Sequence, residues 1–483
     1  MMVSDLTRLL QGSITKGPDR HWETLKADSS KVRPGDAFIA IMGSTRDGHE
    51  YIPDALHRGA VLIICNSSHT VEDTDVTVVG VPDTKAALRI ILPMLYPKAM
   101  EVRLVGITGT NGKTTTTYLI ESVLNHAGIA SGVMGTINTR YKGKEITSTL
   151  TTPGPVDLFE MLNLMRIAGV QACVMEVSSH ALDQDRIAGL TFEYALFTNL
   201  TQDHLDYHKD METYFLAKKR LFEVYLGGKA IINIDDTYGA RLAETLKGAI
   251  TYGFRKDALI HPLSMDNSAD GLTLHIATPA GRISIRSALK GEMNAYNIMS
   301  AIGVCRAFGI PNEIIAKGIE ALKGVPGRME SVENTNNLNI IVDYAHTPDA
   351  LHTVLKNARQ FTKGRLLTVF GCGGDRDKTK RPIMGTIAAD LADLAIITSD
   401  NPRTEEPGSI IEDILKGVPD RTKIILEPDR KKAICQAIRA MAADDCLLIA
   451  GKGHEDYQII GTRKISFDDR ECVRRCLKEV YGQ

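Results

Sequence analysis

The chain has almost no net charge: 57 Lys and Arg face 59 Asp and Glu across 483 residues, giving −2 at pH 7. No global basic field is available to hold nucleic acid or an anionic membrane, so any anion must be captured at a local site. Long apolar runs are missing too. None approaches the roughly 20 residues that cross a bilayer, and no signal-type apolar stretch follows the opening Met-Met-Val-Ser-Asp-Leu-Thr-Arg. A cytoplasmic protein is expected, with no membrane insertion and no nucleic-acid partner, acting as a monomer. The eight cysteines are scattered, and the closest pair, Cys472 and Cys476, has no second pair at zinc-ligand spacing. Reduced thiols are therefore expected. Cys372 sits among glycines without a neighbouring base, which argues against a nucleophile. There are no internal repeats and no low-complexity tract.

What is present is an ordinary globular composition, 43% hydrophobic and 24% charged, in a chain long enough for roughly three domains. Up to about residue 100, short apolar runs alternate with turn signals. Ala37 to Ile41 and Ala60 to Cys65 read as strands, and Tyr51 to Arg58 as a short helix after the Asp47-Gly48 turn. From Arg103 the pattern becomes strand–loop–helix, with strands expected at Arg103 to Thr108, Ala172 to Val177, Tyr194 to Thr198 and Ala230 to Ile234. This alternation implies a mostly parallel, doubly wound sheet. Thr251 to Ser287 reads as an antiparallel excursion. After the Gly/Pro hinge Lys323-Gly-Val-Pro-Gly-Arg328 a second α/β series begins, with strands at Asn339 to Asp343, Arg365 to Phe370, Leu394 to Thr398, Thr422 to Leu426 and Asp445 to Ala450. The fold class is α/β, with domains expected at 1–100, 101–327 and 328–483.

The strongest motif is Gly109-Thr110-Asn111-Gly112-Lys113-Thr114-Thr115, placed where a strand ends and a helix begins. Polyphosphate needs close backbone approach, converging N–H donors at a helix N-terminus, a lysine and a metal-binding hydroxyl. Lys113 would reach the β/γ-phosphates of ATP and Thr114 would ligate Mg²⁺. Ile107 stands where the strict motif has glycine, so the loop is a variant. Glu176 and His204 each follow a predicted strand end, where such a sheet gathers its ligands. A carboxylate there can hold Mg²⁺, and an imidazole can ligate a metal or relay a proton.

GTNGKTT, MEVSSHAL, TNLTQDHLDYH, GEMNAYN and VDYAHTPDAL together resemble the Mur ligase superfamily, which builds the peptide of bacterial cell-wall precursors. The resemblance covers nearly the whole chain. It implies a small N-terminal α/β domain binding a UDP-sugar, a central P-loop ATPase domain and a Rossmann-like C-terminal domain that brings the amine. Lys218 matches the lysine that this superfamily carbamylates with CO₂, which turns a cation into an anionic metal ligand; read without the family, it is a solvated helix lysine. By the same resemblance Asn294, Asn297, Arg328, Asp343 and His346 lie near ATP or the hinge. Ser29, Ser44, Thr45, Arg46, Thr151, Thr152, Ser178, Gln184 and Arg186 match positions contacting the UDP-sugar-peptide.

The choice of amine rests on Gly371-Cys-Gly-Gly-Asp-Arg376, then Asp400-Asn401-Pro402-Arg403, then Gly451-Lys-Gly-His-Glu455. Asp-Asn-Pro-Arg is characteristic of the relatives that add meso-diaminopimelate to UDP-N-acetylmuramoyl-L-alanyl-D-glutamate. The chemistry agrees with that expectation. Arg403 can grip the distal carboxylate bidentately, Asn401 adds a polar contact, Glu455 meets the distal ammonium, and Arg376 binds a substrate carboxylate. Lysine lacks that distal carboxylate and would leave the arginine unpaired. A lysine-adding relative and a folylpolyglutamate synthase are the rival enzymes. A nucleotide-gated binding protein without catalysis is the rival from another class, disfavoured by the joint presence of Lys113, Glu176, His204 and Lys218.

Overall fold

The structure is a computed structural model and describes residues 2–10, 13–43, 46–72, 75–268 and 270–482. The chain divides into two compact units: 1–108, 129–195 and 216–229 form the first, and 109–128, 196–215 and 230–483 the second.

The first unit opens with a five-stranded sheet in the order Ser13–Lys16, Thr77–Val81, Leu62–Asn66, Ala37–Ile39, Leu25–Lys26. Only the Ser13–Lys16 edge is antiparallel. Phe38, Ile63 and Val78 close its core with Ile52 and Ala55 of the helix Ile52–His57. Within the same unit a second sheet runs Arg103–Thr108, Ala172–Glu176, Ser131–Met134, Asn138–Tyr141, Lys144–Thr147 in that order. Arg103–Thr108 and Ala172–Glu176 are almost continuously apolar and buried, the mark of strands covered on both faces. They pair in parallel, Glu176 opposite Ile107, so the acidic residue emerges at a carboxyl end.

In the second unit the helix Lys113–His126 packs on Glu292–Ala307 and Asn312–Ala321. Ile231, Ile232 and Asn233 pair in parallel with Ile250–Tyr252. The antiparallel excursion expected from Thr251 therefore starts later, at His261–Ser268, and continues through Gly271–Thr278 and Gly281–Ser287. A three-residue strand is too short to show a period of two, which is why its direction was not legible.

The later part of this unit is a six-stranded sheet in the order Glu330–Ser331, Asn339–Asp343, Cys446–Ala450, Leu366–Phe370, Leu394–Ile397, Ile424–Leu426. All its pairs are parallel except the first. Apolar clusters cover both faces, one around Leu355 and Phe370, the other around Val369 and Ile438. A separate hairpin, Tyr457–Ile460 with Arg463–Ser466, follows the last central strand.

Cys435, on the helix Arg430–Ala440, is joined to Cys476, on Asp469–Tyr481, as a disulfide with Cα atoms 5.2 Å apart. The expectation of reduced thiols throughout is corrected at this pair, which a separation of 41 positions had hidden. The other six cysteines are free and buried. Among the described residues no helix is long and apolar enough to cross a membrane.

Candidate active site

The phosphate loop bridges the strand Arg103–Thr108 and the helix Lys113–His126. Gly109 and Gly112 have φ of +145° and +86°, and a methyl group at either would run into Thr198 or Asn297. The loop is held from outside itself. Asn199 accepts from the Asn111 N–H at 2.9 Å through Oδ1 and donates to the Asn111 carbonyl at 3.2 Å through Nδ2. Its own carbonyl accepts from the Thr110 N–H at 2.8 Å, and Thr198 Oγ1 donates to the Asn111 carbonyl at 2.7 Å.

The Lys113 ammonium lies inside the loop, donating to the carbonyls of Gly109 and Thr110 at 2.9 and 2.8 Å. Thr114 and Thr115 are buried in the first helical turn, and Thr114 Oγ1 accepts from Arg328 at 3.3 Å. Arg328 lies over the Tyr344 ring, next to Asp343. Burial pushes the Asp343 carboxyl up, against the Arg328 charge and the two N–H bonds from Met329 and Ala345. Asn111 Nδ2 also reaches Asp349 at 3.1 Å on the helix Pro348–Phe361. Asn294, in the first turn of Glu292–Ala307, donates to the Lys290 carbonyl and accepts from Asn297. His346 is exposed, with Nδ1 2.9 Å from the Tyr344 carbonyl. His204 takes a left-handed conformation, φ +54°, at the start of Leu205–His208 and lies 3.4 Å from Asp203.

In the first unit a second group of expected residues converges. Glu176 is 1% exposed; its two oxygens accept from the Thr136 N–H and hydroxyl, each at 3.0 Å. Thr151 lies 3.1 Å from that same hydroxyl. Thr152 donates to the Glu176 carbonyl at 2.9 Å and accepts from the Ser178 N–H at 3.1 Å. Arg186 donates to the Thr152 carbonyl and is gripped by Gln184 at 2.7 and 3.0 Å. Thr151, Thr152, Glu176, Ser178, Gln184 and Arg186 are thus joined, through Thr136, in one hydrogen-bonded network.

Ser29 is buried at the start of a short 3₁₀ turn, and Arg46 is exposed, donating to Tyr51. Ser44 and Thr45 lie outside the described residues. Within Lys218-Lys-Arg220, Lys219 pairs with Glu223 and Arg220 with Asp185, whereas Lys218 is 1% exposed. A solvated lysine does not behave so, since a buried ammonium demands a specific environment.

The third group lies on loops at the carboxyl ends of Leu366–Phe370, Leu394–Ile397 and Cys446–Ala450. These loops are bonded to one another. The Gly374 N–H donates to the Asn401 carbonyl at 2.9 Å, and Arg403 Nη1 to the Gly374 carbonyl at 2.8 Å. Asp375 accepts from the Thr404 hydroxyl at 2.8 Å, and its N–H donates to Glu405. Arg381, fully buried, holds both Glu405 oxygens and Asp413, and with the Asp375 N–H lowers the Glu405 carboxyl to about 2.

The hairpin clamps the second loop from behind. Gln458 donates to the Asp400 carbonyl, Ile459 N–H to Asn401 Oδ1, Arg403 N–H to the Ile459 carbonyl, and Gly461 N–H to the Arg403 carbonyl. Pro402 is buried. Asp206, Asp375, Arg376, Asp377, Lys378 and Glu405 line a cavity of about 440 Å³. Gly451 lies against Asp400, and Glu455 accepts from Asn401 at 3.0 Å.

Family models described as Mur ligase family, catalytic domain, Mur ligase middle domain, and Mur ligase, glutamate ligase domain match residues 21–102, 107–305 and 327–453. A UDP-N-acetylmuramoyl-L-alanyl-D-glutamate–2,6-diaminopimelate ligase from Gloeobacter violaceus is 47% identical over 96% of this chain and 95% of its own. The chain belongs to the Mur ligase family. Similarly named relatives from Trichormus variabilis and Geobacter metallireducens are 47% and 43% identical over 99% and 100% of the chain, and over 97% and 99% of their own lengths. A solved structure of a UDP-N-acetylmuramoyl-L-alanyl-D-glutamate–2,6-diaminopimelate ligase superposes with a TM-score of 0.70 at 31% identity, covering 99% of both chains. The Mycobacterium tuberculosis folylpolyglutamate synthase complexed with ADP reaches 0.62 at 18% identity, over 75% of this chain and 91% of that one, a likeness of fold alone.

Several supporting residues of this Mur ligase carried no local signal. Asn199 looked like part of the segment leading to His204, yet it secures the phosphate loop from 88 positions away. Arg430 and Asp469, both fully buried, pair at 2.7 Å, and Arg430 also donates to the Ala450 carbonyl. They fix the strand end from which the Gly451–Glu455 loop departs. Lys452, between two expected residues, is buried and bonded to Glu455.

Proposed function

We propose that this Mur ligase joins meso-diaminopimelate to the γ-carboxyl of the D-glutamate in UDP-N-acetylmuramoyl-L-alanyl-D-glutamate at the expense of ATP, in the cytoplasm. The observation that carries the reading is the Asp400–Arg403 loop bonded to the Arg376 loop, which sets two guanidinium-bearing residues on interlocked strand-end loops. Two arginines on one rigid frame suit an amine substrate with more than one carboxylate, as guanidinium–carboxylate pairing is directional. In this reading residues 1–100 hold the UDP moiety, 101–327 the ATP, and 328–483 the amine.

A free carboxylate is a poor electrophile, because its charge repels the amine and oxide is a hopeless leaving group. A carboxylate oxygen attacks the γ-phosphorus, the bond to the bridging oxygen breaks, and ADP leaves an acyl phosphate. The amine nitrogen then attacks the acyl carbon, sheds a proton, and phosphate departs as the amide forms. Gly109–Thr115 would cradle the nucleotide phosphates, with Lys113 exchanging its two carbonyl partners for phosphate oxygens. Asn294, Arg328, Asp343 and His346 would frame the rest of the nucleotide. Ser29, Ser44, Thr45, Arg46, Thr151, Thr152, Ser178, Gln184 and Arg186 would hold the UDP-sugar-peptide.

Among the described residues no group of three or more His, Cys, Asp or Glu side chains is arranged to hold a metal. Mg²⁺ is octahedral, and nucleotide phosphates and water supply the positions that the protein leaves open. Thr114, Glu176, His204 and Lys218 as its carbamate would be the protein's contribution, and the ion would supply charge neutralisation on the phosphates. The burial of Lys218 supports modification, because a carbamate turns a cation costly to bury into a ligand.

Purified protein incubated with ATP and the UDP-linked dipeptide should form amide product with meso-diaminopimelate and not with L-lysine. Equal turnover with lysine would sink the reading.

A further inference from the structure

Lys452 has no assigned role, yet its side chain is completely buried in the loop that the proposed function gives to the amine substrate. Its ammonium donates to Asn401 Oδ1 at 3.2 Å and to Glu455 Oε2 at 3.0 Å, and lies 5.4 Å from the centre of the Tyr457 ring. Asn401 Oδ1 also accepts from the Ile459 N–H at 2.9 Å, which fixes the orientation of the amide and aims Nδ2 at Glu455 Oε2, 3.0 Å away. Lys452, Asn401 and Glu455 are therefore one closed triangle, with only the Glu455 corner reaching outward at 15% exposure.

The balance of charge around this triangle has a consequence. Glu405 is committed to Arg381 and Lys378, and Asp375 accepts from Thr404. Arg403 directs Nη1 to the carbonyls of Gly374 and Asn401, which are neutral. Arg403 and Arg376 share these loops with the anions Asp375 and Asp377, and the Lys452 ammonium removes a further anion, Glu455, from the balance. A distal carboxylate gains by that offset, and a distal ammonium arriving alone loses by it. Remove Lys452, and Glu455 becomes an uncompensated anion that welcomes a bare ammonium.

We infer that Lys452 is a specificity-determining residue for the amine substrate: its buried ammonium fixes Asn401 and Glu455 and offsets the Glu455 charge, so that the loops favour an amine carrying a distal carboxylate over one with a distal ammonium alone. The inference rests on the reading of the amine as diaminopimelate. Like-charge opposition is a recognised route to selectivity, and burying the ammonium keeps it from being screened by solvent.

The test is steady-state kinetics of the full chain with meso-diaminopimelate and L-lysine as competing amines, in wild type, K452M and E455Q. For K452M the diaminopimelate KM should rise at least tenfold with kcat and the ATP KM within threefold. Its ratio of kcat/KM for diaminopimelate over lysine should fall at least tenfold, lysine turnover itself not declining. E455Q should move the ratio the other way, lysine losing at least fivefold more than diaminopimelate, since the bare ammonium has no second anchor. Opposite displacements are beyond a merely structural role. If both amines decline in parallel in K452M, the inference is overturned; should K452M fail to fold, E455Q decides alone, and an unmoved ratio there overturns it. A wild type that prefers lysine would overturn the diaminopimelate reading itself, a result visible before any variant is made.

Discussion

Asn199→Ala isolates the outside support of the phosphate loop. The substitution leaves the backbone bond from Thr110 N–H to the Asn199 carbonyl and the Thr198 bond to the Asn111 carbonyl, and deletes two bonds to Asn111. The Asn111 carbonyl keeps an acceptor role through Thr198, so losing Nδ2 costs little. The partly buried Asn111 N–H loses its acceptor altogether, at about 1–3 kcal/mol. A total near 2 kcal/mol must appear somewhere, and where it appears depends on what the loop does. If the freed loop relaxes, ATP must re-form it, and affinity falls roughly 30-fold, since about 1.4 kcal/mol is tenfold. If the remaining bonds keep the loop in place, the same energy is lost from folding stability. Calorimetric titration with ATP and a urea melt on the same preparation measure both parts. An unchanged ATP affinity together with an unchanged melt would refute the claim that Asn199 secures the loop.

Asp469→Ala should be among the most destabilising single substitutions, because it strands the fully buried Arg430 guanidinium; a loss of about 3–5 kcal/mol is expected in urea unfolding. Lys113→Ala should lower turnover at least about a hundredfold while leaving binding of the UDP-linked dipeptide unchanged by titration. Burial, then the charges of Arg328, Arg470 and Lys452, depress His454 from its ordinary 6.5 to about 4. Between those values the unfolded chain holds a proton that the folded chain does not, so this contribution is complete above about pH 6.5 and is lost as pH falls towards 4. Relative to His454→Asn, the wild type should lose about 2 kcal/mol between pH 6.5 and 5 in urea unfolding, and parallel pH profiles would refute it.

The parallel sheets were legible because their strands are apolar runs closed by turn residues, a signal contained in each segment. Arg103–Thr108 and Asn339–Asp343 fall where that signal places them. Ile250–Tyr252 and the hairpin at Tyr457–Ser466 are too short, or too exposed, to carry a period. The phosphate loop was legible for the same local reason, since glycines, lysine and threonine are consecutive. The burial of Lys218 was not: in Lys218-Lys-Arg220 nothing local says which cation turns inward, and only resemblance singled it out. Asn199, Arg381 and Arg430 act through bonds spanning 88, 24 and 39 positions, which no local pattern reports.

The Asp400–Arg403 motif shows how a recognition sequence divides between contact and support. Read alone, all four residues invite assignment to the ligand. In the fold the Asp400 carbonyl takes Gln458, Asn401 Oδ1 takes Lys452 and Ile459, and Pro402 is buried. Asn401 keeps only N–H donor capacity to offer a ligand, whereas the Arg403 guanidinium extends over the Gly374 carbonyl, with its backbone fastened on both sides to the hairpin. Most of the motif therefore holds one guanidinium still. A rigidly placed guanidinium loses little freedom on binding a carboxylate, so discrimination resides in the frame as much as in the arginine. Loosening the frame at Gln458 or Arg381 should then weaken selection between amines without touching the side chain that makes the contact.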